Sequence, residues 1–218
     1  MSQTAIVFDL DGTLIHSAPD MHVAINHALE RVGRPALELS QVISFIGNGV
    51  EKLVERSLDA IGGCSSDVTT RTLRHFMTYY SQNTTTLTKP YDGVISCLDR
   101  LKAAGIPMAI CTNKPTAPAR QICDALGIGG YFDIISGAED GQPKKPDAAP
   151  LLRCITALGF TAKEVIYVGD SAVDYQTAMN AGVAFKLFSG GYLNAPIPEL
   201  PVTDRFDDWS RYELNTSR

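Results

Sequence analysis

The residues best suited to chemistry stand at the ends of apolar runs. Asp9 and Asp11 follow Ala5-Ile6-Val7-Phe8 directly, with Gly12 and Thr13 behind them. Thr112-Asn113-Lys114 closes a second run, and Gly169-Asp170, with Asp174 shortly after, closes a third. Between the second and third lie the paired cations Lys144 and Lys145. Acids and glycine after a strand are also what an ordinary turn needs, and each piece alone reads that way. Their shared position gives them weight. In a parallel sheet the carboxyl ends of the strands lie along one edge, so residues far apart in sequence meet at one crevice. Carboxylates crowded there repel one another, and a hard divalent cation with oxygen ligands relieves the repulsion. The set therefore predicts Mg2+, with Asp9, Asp11, Asp170 and Asp174 as the candidate metal-binding residues.

The elements that must position these groups follow from periodicity. Residues 107–112, 132–136, 164–169 and 183–188 are almost continuously apolar rather than alternating, the pattern of parallel strands covered on both faces. Helical spacing fills the gaps: Val94, Cys97, Leu98 and Leu101 run up to Gly105, and residues 117–126, 148–158 and 172–181 each stop at a glycine. The expected fold class is α/β, a doubly wound parallel sheet with a Rossmann-like core. After the first strand the chain does not return to the sheet until about residue 107, and residues 21–32, 50–61 and 68–80 read as consecutive helices. We therefore expect an α/β core from residues 1–16 and 87–218 and a helical cap from 17–86, inserted over the end of strand one. The polar run 81–86 and the turn Pro90-Tyr91-Asp92-Gly93 serve as the return hinge, and the tail from Gly190 reads as a surface wrap ending in a short element around 206–212.

Composition narrows the function classes. A chain of 218 residues suits one core with a lid, and 44% hydrophobic with 20% charged residues is ordinary for a folded domain. A net charge of -5 gives no basic footprint for nucleic acid or an anionic membrane, so an anionic small molecule would need locally placed cations. No segment approaches the ~20 apolar residues of a membrane span and no basic leader opens the chain, which points to the cytoplasm. Five cysteines without a C-x-x-C pair read as buried thiols, not as a disulfide framework or zinc site. The sequons at Asn83 and Asn215 matter only in a secreted protein. Gly127-Ile128-Gly129-Gly130 follows a helix and is a helix stop, not a dinucleotide loop.

Taken in order, Asp9-Leu10-Asp11-Gly12-Thr13, Thr112-Asn113, Lys145-Pro146 and Gly169-Asp170 with Asp174 resemble the four motifs of the haloacid dehalogenase superfamily, with the cap in the matching place. The resemblance covers nearly the whole chain. It implies that Asp9 is the nucleophile of an aspartyl-phosphate intermediate and that Asp11 exchanges protons with the leaving group and the attacking water. Thr112 and the Asn113 amide would hold phosphoryl oxygens, and Lys145, favoured over Lys144 by the K-P-D-A-A-P context, would balance phosphate and Asp9. Asp170 would ligate the metal directly, Asp174 through water or by positioning Lys145, and Asp11 through its main-chain carbonyl.

Asp11 separates this chain from dehalogenases, whose halide leaves without a proton. The phosphonate-cleaving branch needs a cap lysine, and Lys52, the one offered, reads as solvated. The stretches "IGNGVEKLVERSL", "CTNKP" and "KKPDAAPLL" resemble phosphoglycolate phosphatases. That implies a small phosphorylated metabolite, with 2-phosphoglycolate the expected substrate, bound under the cap loop Gly47-Asn48-Gly49 by a monomer or homodimer. Arg56 lies too far inside its helix to serve as a substrate clamp. His16 departs from the aspartate more usual in that family. A sugar-phosphate mutase is the nearest alternative and a receiver-like phospho-switch a remote one.

Overall fold

The computed structural model describes residues 4–212, so the sequon at 215–217 lies outside the described residues. β1 (Ala5–Phe8) runs into a loop and the two-residue β2 (Ile15–His16); the cap follows as α1 (Ala18–Arg31), α2 (Leu39–Phe45), α3 (Val50–Asp59) and α4 (Ser66–Tyr80). The chain returns through β3 (Lys89–Pro90), which pairs antiparallel with β2, so a two-stranded ribbon joins the entry of the cap to its exit, between the run 81–86 and the turn after Pro90. The core is completed by α5 (Val94–Ala103), β4 (Met108–Pro115), α6 (Thr116–Ala125), β5 (Ile134–Ala138), α7 (Ala149–Leu158), β6 (Val165–Gly169), α8 (Ala172–Ala181), β7 (Ala184–Phe188) and β8 (Arg205–Phe206).

Six strands form one sheet in the order β5-β4-β1-β6-β7-β8, every pair parallel. β1 is central and short, and alternation divides its side chains between two cores. Ile6 and Phe8 pack with α5, α6 and Trp209; Ala5 and Val7 pack with α7 and α8. Burial on both faces explains why the strand reads as an unbroken apolar run.

Three expectations need correction. The third strand begins and ends two residues later than 132–136, at Ile134–Ala138, after a 3-10 turn over Gly129–Tyr131. The cap has a fourth helix, α2, opened by a capping box between Glu38 and Gln41; at seven residues it is too short to show a helical period. The tail is not a surface wrap: Tyr192, Ile197, Leu200, Trp209 and Tyr212 are buried, and β8 adds a strand to the sheet edge. The cap has an apolar centre of its own, with Ile25, Leu29, Val42, Val54, Leu58 and Phe76 fully enclosed. Four cysteines are buried and Cys64 is exposed, all of them free. Among the described residues no helix is long and apolar enough to cross a membrane.

Candidate active site

The carboxyl ends of β1, β4 and β6 meet under the cap. Asp9 leaves β1 with its amide donating to the Val168 carbonyl of β6 (2.8 Å), which fixes the start of the acidic loop on the neighbouring strand. The loop then turns at Gly12, whose φ of 87° is open to glycine and strained for other residues. A Cβ there would meet Asp170 Oδ2 at 2.2 Å, so the position also needs an absent side chain. Thr13 donates its hydroxyl to Asp170 Oδ1 (2.8 Å), and the Tyr192 amide donates to Asp170 Oδ2 (2.6 Å). The carboxylate of Asp170 is thereby aimed from the two sides of the cleft.

Asp9, Asp170 and Asp174 bring carboxylate oxygens within 4.8 Å of one another, all three residues buried. Lys145 stands beside them: Nζ is 2.6 Å from Asp174 Oδ1, 2.8 Å from the Tyr167 hydroxyl and 2.8 Å from Asp9 Oδ1. The approach to Asp9 lacks hydrogen-bond alignment, so Asp9 Oδ1 is buried with no hydrogen-bond donor. Burial, offset by Lys145 and reinforced by Asp174, pushes the Asp9 carboxyl up to about 6. Burial likewise holds Asp170 well above the usual carboxylate range, with Asp174 and Asp9 adding to it. Burial would raise Asp174 too, but Lys145 and the hydrogen bonds from Ser171 and Tyr167 outweigh it and hold that carboxyl low. For Lys145 burial opposes the charge and the carboxylates of Asp174 and Asp9 overcome it, so the ammonium is held more firmly than in an ordinary lysine.

These facts bear on a divalent metal. A dry cluster of hard oxygens with one oxygen lacking a donor, and with two carboxyls raised by burial and further by one another's charge, fits a cation such as Mg2+. The three acids do not contribute equally. Both oxygens of Asp174 are taken, Oδ1 by Lys145 and Tyr167 and Oδ2 by the Ser171 amide and hydroxyl in the capping box of α8. Its place is to hold Lys145 against Asp9. Asp11 is outside the cluster: its carboxylate accepts from Lys114 Nζ at 3.0 and 3.1 Å.

Thr112, Asn113 and Lys114 fall where β4 and β5 lose register between Cys111 and Pro115, and the bulge presents all three to the cavity. The Asn113 side chain joins two segments. Its Nδ2 donates to the carbonyls of Gly47 in the cap and Lys145 (both 3.0 Å), and its Oδ1 accepts from the Lys145 amide (2.9 Å). Lys144, the rival to Lys145, instead points to the rim and pairs with Glu51 of the cap at 3.4 Å.

The cap closes over a cavity of about 40 Å3. Gly47 and Gly49, both with positive φ (118° and 89°), line it, and Asn48 between them is not among the lining residues. The rest of the cap wall is apolar: Met21, Ile46, Val50 and Leu53. Lys52 pairs with Glu55 on the surface and Arg56 donates to the Phe45 carbonyl, so neither reaches the cavity. His16 lies in the hinge, its Nδ1 2.8 Å from the Tyr192 hydroxyl, and burial lowers its pKa. Sequence reasoning missed Lys114 as a contact of Asp11, Tyr167 as a support of Lys145 and Tyr192 as a support of Asp170. It also missed Asp20, whose buried carboxylate accepts from the Leu87 and Thr88 amides and the Thr88 hydroxyl, tying cap entry to cap exit. Only Lys114, adjacent to Thr112-Asn113, carried a local signal.

Comparison with known proteins agrees with this geometry. The haloacid dehalogenase-like hydrolase family matches residues 6–188. A phosphoglycolate phosphatase from Cereibacter sphaeroides is 44% identical over 197 residues, covering 90% of this chain and 89% of the relative, and one from Pectobacterium atrosepticum is 40% identical over 208 residues, covering 93% and 89%. The crystal structure of a predicted phosphoglycolate phosphatase from Haemophilus somnus 129pt superposes with a TM-score of 0.90 at 33% identity, covering 96% of each chain. With the sheet edge, the cap and the motif residues already in place, the chain belongs to the haloacid dehalogenase-like hydrolases and, within them, to the phosphoglycolate phosphatase family.

Proposed function

We propose that the protein is a Mg2+-dependent phosphatase that hydrolyses 2-phosphoglycolate in the cytoplasm through an aspartyl-phosphate on Asp9. The observation that carries this reading is Asp9 itself: a buried carboxylate with one oxygen lacking a hydrogen-bond donor, Lys145 at 2.8 Å and two further acids within reach. Asp9 and Asp170, with the main-chain carbonyl of Asp11, are the residues to hold Mg2+, whose charge lowers the repulsion between a phosphate dianion and an attacking carboxylate.

The chain's own groups do the rest. Asp9 attacks phosphorus, which divides one difficult displacement into two easier ones. Lys145, held by Asp174 and Tyr167, balances negative charge on Asp9 and on the phosphoryl oxygens. The Thr112 hydroxyl and the Asn113 amide, both on the bulge, take phosphoryl oxygens. Asp11 protonates the leaving alkoxide and then removes a proton from water, a role worth typically ~10²–10⁴-fold. Cap closure excludes bulk water while the acyl phosphate exists.

The test is phosphate release from a panel of esters by the purified protein with Mg2+, together with acid-quench trapping of the phosphoenzyme. Turnover highest on 2-phosphoglycolate, with label retained on a peptide containing Asp9, is the expected result. Isomerisation without release would show a mutase instead, and no turnover of any ester would end the reading.

A further inference from the structure

The carboxylate of Asp11 stands outside the cluster of Asp9, Asp170 and Asp174, and among the described residues it accepts hydrogen bonds from Lys114 Nζ alone, at 3.1 Å to Oδ1 and 3.0 Å to Oδ2. Its orientation therefore depends on where that ammonium sits. The ammonium has one further partner, the Tyr80 hydroxyl at 3.0 Å, so its three N–H donors are fully used. Lys114 and Tyr80 are both buried, and the Tyr80 ring lies 5.0 Å from Nζ.

Tyr80 belongs to the other half of the molecule. It is the last residue of α4, its ring stacks on Phe76 at 5.2 Å, and both side chains are enclosed in the apolar centre of the cap. Asp11 and Lys114 line the cavity, and Tyr80 is not among the lining residues. Its route to the reacting atoms thus runs through Lys114. A lysine stem has many rotamers, and an ammonium tied only to one carboxylate could swing together with it. The hydroxyl supplies a second fixed point. Reaction geometry is sensitive to such freedom, since a misplacement of about 1 Å can cost roughly 10²-fold in rate.

We propose that Tyr80 is a positioning residue for proton transfer: it holds Lys114, and Lys114 holds the Asp11 carboxylate in line first with the ester oxygen and then with the attacking water. This rests on the phosphatase reading above and adds a link from the centre of the cap to one catalytic group. In the first half-reaction an Asp9 oxygen bonds to phosphorus, the bond from phosphorus to the ester oxygen breaks, and the departing oxygen takes the Asp11 proton. In the second, a water oxygen bonds to phosphorus, the bond to Asp9 breaks, and the proton lost by water returns to Asp11. One N–H bond to each Asp11 oxygen leaves a further lone pair for that proton. Tyr80 matters at the steps where Asp11 exchanges a proton.

Acetyl phosphate separates this role from a general structural one. Acetate departs without a proton, so phosphorylation of Asp9 by acetyl phosphate bypasses Asp11, while hydrolysis of the resulting aspartyl-phosphate does not. Rapid acid quench with radiolabelled donors measures both rates, and circular dichroism checks that each variant is folded. In Tyr80→Phe, which keeps the ring beside Phe76, phosphorylation from acetyl phosphate should stay within about twofold of the wild type, while breakdown of the phosphoenzyme should fall about tenfold, so that labelled protein accumulates. Phosphorylation from 2-phosphoglycolate should fall about tenfold as well. Lys114→Met should give the same pattern at least as strongly, and adding Tyr80→Phe to it should change no rate by more than about twofold, because the link is already cut. If acetyl phosphate does not label the wild type, this double variant decides on 2-phosphoglycolate; if Lys114→Met does not fold, the acetyl phosphate comparison decides. Equal slowing of every step in Tyr80→Phe, unchanged breakdown, or full additivity in the double variant would overturn the inference while leaving the phosphatase reading intact. Wild-type protein that neither takes label nor releases phosphate from either donor would sink that reading, and this inference with it.

Discussion

The two walls of the cavity are built on opposite principles. On the core side the charged groups around Asp9 are each held from several directions: Asp170 by Thr13 and Tyr192, Asp174 by Ser171, Tyr167 and Lys145, and Lys145 by Asp174, Tyr167 and the nearby Asp9. On the cap side the lining is aliphatic and glycyl, and the polar links to the core are scattered single contacts, among them Asn113 to Gly47, Lys114 to Tyr80, Lys144 to Glu51 and Asn194 to Ile46. Buried charge must be fixed from several directions or it is ruinous to stability, whereas an apolar wall can change shape at modest cost. Charge is thus concentrated on the core wall, and apolar contact on the cap wall.

That contrast can be broken by substitution. On the core side, Asp9→Asn should abolish turnover of every ester, by at least about 10⁴-fold, with the fold retained; phosphate-release assays alongside circular dichroism check it. Lys145→Ala should slow all esters by about 10²–10³-fold and cost roughly 3–5 kcal/mol in denaturant unfolding, since two buried carboxylates lose their counter-charge.

Proton competition sharpens the picture further. The Asp9 carboxyl is raised to about 6 in the folded protein against an ordinary value of 3.8, so the proton is held more tightly folded than unfolded. Its stabilising contribution is complete below about 4 and disappears as pH rises through 6. A cation that displaces this proton gains where the proton is weakly held, so the rise in melting temperature on adding Mg2+ should be large at pH 7.5 and shrink as pH falls through 6. A melting shift independent of pH would contradict the assignment of Asp9 as a ligand.

Changes in the apolar lining of the cap should alter preference, not chemistry. Leu53→Ala enlarges the apolar wall and should improve relative kcat/KM for bulkier phosphate esters severalfold, with little change in the maximal rate on small ones. The smallest effect belongs to Lys144→Ala. Its pair with Glu51 is a rim contact, so KM should move by no more than about twofold, in contrast to its neighbour Lys145.

Much of the core side was legible because it obeys local rules. Apolar runs ending in acids or in Thr112-Asn113 are strand ends, and a parallel sheet gathers such ends on one edge whatever lies between them. The supports were not legible. Tyr192 meets Asp170 from 22 positions away and His16 from 176, and Asp20 meets Thr88 across 68; tyrosines and an aspartate in those places have no periodicity or spacing that sets them apart. Lys114 was visible as part of Thr112-Asn113-Lys114, but its attachment to Asp11 depends on a bulge that only the pairing of β4 with β5 creates. Asn48 shows the limit of spacing: a residue between two glycines in a loop over the cavity looks placed for contact, yet only the glycines line it.

Tyr192 has a consequence for how the molecule comes into being. Its amide orients Asp170, and its hydroxyl accepts from the Ala18 amide at the head of the first cap helix. A nascent chain has Asp9 made almost at once, yet neither the acid across the cleft nor the root of the lid is secured until this late residue leaves the ribosome. Newly made protein is therefore inert through most of its synthesis, and a chain stopped at Gly190 should emerge with its acidic edge unassembled.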